Sequence, residues 1–125
     1  MKTIETNSAP AAIGPYSQGK ITGNLVFCSG QLPVNPATGK VEGDNITIQT
    51  RQAILNMKAV LEAGGSSLEK VVKCTVYLND IKDFSGMNAV YAEYFSTKPA
   101  RAAFQVAALP LGALVEIEAV AEINE

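Results

Sequence analysis

A chain of 125 residues with 47% hydrophobic and 18% charged content can bury roughly two-thirds of its unfolded surface around one core. That excludes a disordered chain and predicts a single domain over residues 1–125. Ten Lys plus Arg against twelve Asp plus Glu leave a formal charge of −2, so no broad cationic field invites a phosphate backbone, and nucleic acid is not an expected partner.

The chain contains no histidine, which removes the Ser-His-Asp and Cys-His arrangements and most zinc-site patterns. Proton transfer falls to Glu, Asp, Lys, Tyr, Cys or water. Neither a metal nor an organic cofactor is expected. The two cysteines, Cys28 and Cys74, have no C-x-x-C spacing and read as reduced thiols of a cytoplasmic protein. The stretch Met1 to Asn7 lacks the apolar centre of a signal peptide. The longest low-charge run, Phe104 to Val115, is broken by Pro110 and Gly112 and is well short of the roughly 20 residues that cross a bilayer.

In chain order, strands are predicted at Lys2 to Thr6, Ser17 to Ile21 and Leu25 to Gln31, the last two joined through Thr22-Gly23-Asn24. The two prolines and the closing glycine of Leu32 to Gly39 make a loop. Ile46 to Ala63 is the clearest helix: Ile54, Met57 and Leu61 share a stripe flanked by Ala53 and Val60, with Asp44 or Asn45 as cap and Gly64-Gly65 as terminator. Alternation from Lys70 to Asn79 predicts a half-buried strand with Val72, Cys74, Val76 and Leu78 on one face. A second helix runs from about Phe84 to Phe95, capped by Asp83.

Two more strands close the chain. In Arg101 to Leu109 the apolar residues Ala102, Phe104, Val106 and Ala108 alternate with Arg101 and Gln105. In Leu114 to Ile123, Val115, Ile117, Ala119, Ala121 and Ile123 alternate with Glu116, Glu118 and Glu122. The order predicts an α+β sandwich with one sheet face covered by helices. If the last two strands form a hairpin with apolar faces aligned, Leu109 lies opposite Leu114 and Arg101 opposite Glu122, leaving Arg101 and Glu116 about 20 Å apart. They then meet only across a subunit boundary, on an uncovered sheet face. The plain alternative is an exposed Arg101–Glu122 ion pair and three solvated glutamates.

The segments Ala11-Ala12-Ile13-Gly14-Pro15-Tyr16-Ser17-Gln18-Gly19, Ser29 to Gly39, Pro99-Ala100-Arg101-Ala102-Ala103-Phe104 and Val115-Glu116-Ile117-Glu118-Ala119, with Met87-Asn88-Ala89-Val90-Tyr91 between them, resemble the RidA (YjgF/YER057c/UK114) family over essentially the whole chain. The resemblance implies a chorismate-mutase-like α+β fold, a mixed β-sheet with two helices packed on one face. It further implies a homotrimer with clefts between subunits, and hydrolytic deamination of 2-imino or 2-enamino acids to 2-oxo acids and ammonia.

By the same resemblance, Arg101 binds the substrate carboxylate and Glu116 activates water. Tyr16, Ser29, Gly30, Gln31 and Asn88 line the pocket. Many relatives carry a cysteine at the position of Ala103, so a thiol role there is excluded. The Ser96-Thr97-Lys98 segment is short, which alters the pocket rim. Two other functions compete: a regulatory module that binds 2-oxo or amino acids in the same cleft, and an endoribonuclease or translation inhibitor. The scattered cations and missing histidine disfavour the latter.

Overall fold

The computed structural model describes residues 1–123; the last two residues of the expected domain, Asn124 and Glu125, lie outside them. Strand β1 (Lys2–Ile4) pairs with β2 (Gly19–Thr22), which turns through Gly23 and Asn24 into β3 (Leu25–Gln31). Gly23 has φ 56°, the left-handed conformation a two-residue hairpin loop requires. A small ribbon, β4 (Val34–Asn35) with β5 (Lys40–Val41), precedes helix α1 (Ile46–Ala63). Next come β6 (Val71–Leu78), helix α2 (Phe84–Tyr94), β7 (Ala100–Gln105) and β8 (Val115–Glu122). The main sheet has the order β1-β2-β3-β8-β6-β7, antiparallel except for the parallel pair β6–β7.

Helix α1 begins where Asn45 accepts a hydrogen bond from the Ile48 amide at 2.9 Å, and it ends at Gly64. Its stripe Ala53, Ile54, Met57, Val60 and Leu61 is fully buried, as are Met87 and Val90 of α2, against Val26, Cys74, Val76, Val115 and Ile117 of the sheet. Both helices therefore cover one face, as the patterning predicts. The buried amides of α1 fasten distant loops to this layer. Asn56 donates to the Leu32 and Val34 carbonyls, and Gln49 joins the Gly43 carbonyl to the Leu114 amide.

Three expectations fail. The last two strands are not a hairpin: β6 lies between β7 and β8, because the chain crosses over α2 to lay β7 parallel along the outer edge of β6. Parallel neighbours need such a helical crossover. Residues 106–109 leave the sheet. In consequence Glu122 faces Leu25 of β3, and Arg101 has no contact with it through the ladder. Second, the register puts Ala102 opposite Thr75 and Phe104 opposite Tyr77, on the face without helices, and Phe104 is 45% exposed there. Third, a register shift between Val71 and Lys73 makes Val71 the buried residue and turns Val72 outward.

Candidate active site: a guanidinium ledge and a carboxylate niche

Arg101 stands opposite Cys74 in the β6–β7 ladder, and Cys74 stands opposite Ala119 in β8; Cys74 and Ala119 are both buried in the core. Residues in register share a face, so the Arg101 side chain leaves the edge strand on the helix side. There its Nη1 donates to Asn88 Oδ1 at 2.6 Å, and its guanidinium carbon lies 4.7 Å from the Tyr91 ring centroid and 5.5 Å from that of Phe84. One corner of the fork is thus held by an amide, and its plane rests against two aromatic rings. Arg101 itself remains exposed, beside a depression of about 330 Å³ that reaches Phe95 and Lys98. Lys98 has φ 56° immediately before Pro99, a costly conformation for a residue with a side chain. It turns the short Ser96–Lys98 segment back toward β7.

Beneath this ledge Tyr91 is almost entirely buried, and among the described residues its hydroxyl has no hydrogen-bond partner. Burial and the neighbouring Cys74 thiol raise its pKa, and burial raises that of Cys74 to about 11. Cys28, raised to about 12 chiefly by burial, lies on the other side of Ala119. Two interstrand spacings of ~4.8 Å each separate the thiols across β8, beyond the reach of a disulfide. Both are inert apolar fillers at neutral pH.

Glu116 is in a different place. It stands opposite Tyr77, three rows from the Arg101 row, about 10 Å along the sheet and two strands across. It also points to the opposite face, with Glu118 and Tyr77. Its carboxylate sits over Gly30: a Cβ at position 30 would fall 2.0 Å from Glu116 Oε2. Gly30 belongs to the irregularity in β3 between Cys28 and Gln31, a bulge that bares its backbone to the acid. Burial, then repulsion from Glu118, raises the pKa of Glu116 above the ordinary carboxylate value. None of the ion pairs among the described residues involves it.

The bulge is braced by its own neighbours. The Ser29 hydroxyl donates to the Ser17 carbonyl, the Ser29 amide to the Gln18 carbonyl, and Gln31 Nε2 to the Ser29 carbonyl. Ser29 and Gln31 are thereby occupied in shaping the niche, while Tyr16 stands 52% exposed after a turn in which Gly14 has φ 120°. Patterning overlooks Gln18. Its buried side chain accepts from the Thr6 amide and donates to the Thr6 and Pro10 carbonyls, tying the N-terminal segment beside Tyr16. It also reads Tyr91 and Phe84 as core alone, since helical spacing cannot reveal an arginine arriving from a strand.

Within one chain, then, Tyr16, Ser29, Gly30 and Glu116 gather at one end of the uncovered face, whereas Gln31, in register with Ile117, turns its buried side chain to the helix side. Arg101 and Asn88 gather at the other edge, on the helix side. An edge anchor and a recessed acid thus stand apart on one six-stranded sheet. The family model described as Endoribonuclease L-PSP matches residues 6–123, and the chain belongs to the RidA/YjgF family.

It is 48% identical to the 2-iminobutanoate/2-iminopropanoate deaminase of Escherichia coli K12 over 96% of both chains. It is also 48% identical to the putative regulator AldR of Lactococcus lactis over 99% of both. The crystal structure of E. coli TdcF with bound serine superposes with a TM-score of 0.94 at 43% identity, covering 99% of this chain and all of that one.

Proposed function

We propose that this protein hydrolyses reactive 2-imino and 2-enamino acids, such as 2-aminoacrylate/2-iminopropanoate and 2-iminobutanoate, to 2-oxo acids and ammonia. The proposal includes sites between the subunits of a cytoplasmic homotrimer. The observation that carries it is the pairing of a pre-organised, exposed guanidinium with a half-buried carboxylate of raised pKa, on opposite faces of one sheet. A tiny ligand that needs both must receive them from two protomers. The uncovered face supports association: Phe27, Val72 and Phe104 are each more than 40% exposed there, more apolar surface than a solvated sheet face needs.

In this reading Arg101 grips the substrate carboxylate with the edge of its fork that Asn88 leaves open. On the protonated imine, Glu116 takes a proton from water as the water oxygen bonds to C2 and the C=N electron pair moves to nitrogen, giving a carbinolamine with a neutral amino group. Glu116 passes that proton to the amino nitrogen, the C–N bond breaks as the C=O bond forms, and the hydroxyl proton leaves with the departing ammonia as ammonium, so Glu116 ends as the carboxylate. An enamino acid joins the path by protonation at C3, which gives the imine. A carboxyl with a pKa nearer neutrality is better matched to accept and return a proton than one at 4.5.

The test is a coupled assay. A dehydratase acting on threonine or serine should release 2-oxo acid faster in the presence of the protein, and Arg101→Ala should remove the gain. No acceleration over the spontaneous reaction contradicts the proposal.

A second reading, a ligand-binding regulatory module, draws on the relative named as a regulator and on the serine bound in TdcF. Arg101 serves both readings equally, and Glu116 separates them. Under the regulatory reading Glu116→Gln leaves ligand affinity intact and has no turnover to remove.

A further inference from the structure

Three large side chains that stand more than half exposed, Ile13 at 88%, Leu111 at 68% and Tyr16 at 52%, line one cavity. Leu32 and Pro36 complete its apolar wall and Gly30 forms part of its floor; its volume is about 540 Å³. Gly30 is also the residue on which the Glu116 carboxylate rests, so the niche and the cavity adjoin at one backbone position. Leu111 is held there against its own backbone preference. It has φ 60° and ψ 19°, is followed by Gly112 at φ 65°, and lies in a turn closed by the Ala113 amide donating to the Pro110 carbonyl at 3.1 Å. A left-handed conformation strains a branched side chain in a way that glycine would not be strained. The turn projects an isobutyl group into the cavity and leaves it uncovered.

Resting on the deaminase reading above, we infer that this cavity receives the C3 substituent of the substrate. The preferred 2-imino acids then carry a bulky apolar side chain, aliphatic or aromatic, and Leu111 and Ile13 determine that specificity. Three- and four-carbon imino acids fill only a fraction of a space of this size, which falls in the range that encloses considerably larger ligands. Each further CH₂ group buried there is worth about fourfold in kcat/KM. The substituent needs no polar partner, so the reacting carbon stays at the carboxylate while the side chain alone is selected.

The experiment generates imines in situ from alanine, leucine and phenylalanine with an amino-acid oxidase and measures the protein-dependent release of 2-oxo acid. The expected kcat/KM for the leucine- or phenylalanine-derived imine exceeds that for the alanine-derived imine by about tenfold or more. Leu111→Asp and, separately, Ile13→Asp should each lower that ratio at least about fivefold. Both side chains are exposed, so neither change threatens the core. In parallel, calorimetry of 4-methyl-2-oxopentanoate against pyruvate should show the same preference in Kd, independent of turnover. A ratio near one in the wild type, or one that neither variant moves, overturns the inference while leaving the deaminase reading standing. Failure to accelerate any of the three imines overturns both.

Discussion

The Arg101 ledge and the Glu116 niche are built on opposite principles. The guanidinium is braced within its own chain at one corner and across its plane, by an amide oxygen at 2.6 Å and two aromatic rings within 5.5 Å, while its outer edge stays open. The carboxylate is pushed over a bare glycine, partly desolvated and beside a second acid. An anchor must keep its shape before the ligand arrives, so its cost of ordering is met by the fold. A proton acceptor must be poised, and a group held away from solvation and counter-charge is poised by that frustration. In the proposed reading, the difference means that the two halves are specialised apart and each is incomplete alone.

The comparison breaks most visibly at the acid. Glu116→Gln should lower kcat by about 100-fold or more and leave the Kd of a 2-oxo acid within about threefold, because Arg101 is untouched. Equal losses in both would show that the carboxyl binds rather than reacts. The wild-type rate should fall on acidification at a pH above the 4.5 of an ordinary glutamate, since the working form is the carboxylate and its pKa is raised. Stability has the opposite sign. Charging a group whose folded pKa lies above its unfolded value penalises the folded state. Glu116→Gln should therefore raise the melting temperature near pH 7, and the gain should vanish as pH falls through the folded pKa toward 4.5.

Gly30→Ala sharpens the contrast with a single methyl group. The added Cβ would meet Glu116 Oε2 at 2.0 Å, and the atom in its way is the end of a flexible side chain, so the carboxylate should swing aside while the fold persists. The expected outcome is a loss of about 10- to 100-fold in kcat with a nearly unchanged melting temperature. Unfolding, or full activity, would show that the carboxylate is not seated where the niche holds it.

Much of this architecture could be read from residue patterning, for reasons visible in particular elements. The span of α1 follows from a complete apolar stripe and its start from a local capping side chain, interactions that reach no more than four residues, although patterning leaves Asp44 and Asn45 open and the structure selects Asn45. The alternation in β8 is equally plain, since every odd residue from Val115 to Ala121 is buried between β3 and β6. The strand order was not legible. Phe104 and Ala102 look like a core face, and nothing local says that β7 lies along the outer edge of β6 with those residues turned away from the helices. The braces of the site were also hidden, because Gln18, Gln49 and Asn56 find partners up to 65 residues away. The family resemblance points to Arg101 and Glu116; a hairpin of the last two strands would part them along one ladder, whereas the observed register parts them by face as well as by distance.

The smallest expected effect lies on the ledge. Asn88→Ala removes the amide that orients the guanidinium but leaves both aromatic rings, so KM should rise by about 3- to 10-fold with kcat little changed. Asn88→Gln should restore only part of it. A fall in kcat at unchanged KM would assign Asn88 to the chemistry rather than to the anchor.

The most direct measurement mixes two dead proteins. Arg101→Ala and Glu116→Gln variants, unfolded together in equal amounts and refolded, should form mixed assemblies in which an intact ledge of one subunit faces an intact niche of its neighbour. Random association in a closed ring makes about one site in four complete, so roughly a quarter of wild-type activity should return from two inactive parents. A mixture that refolds into oligomers yet stays as inactive as either variant would contradict the account.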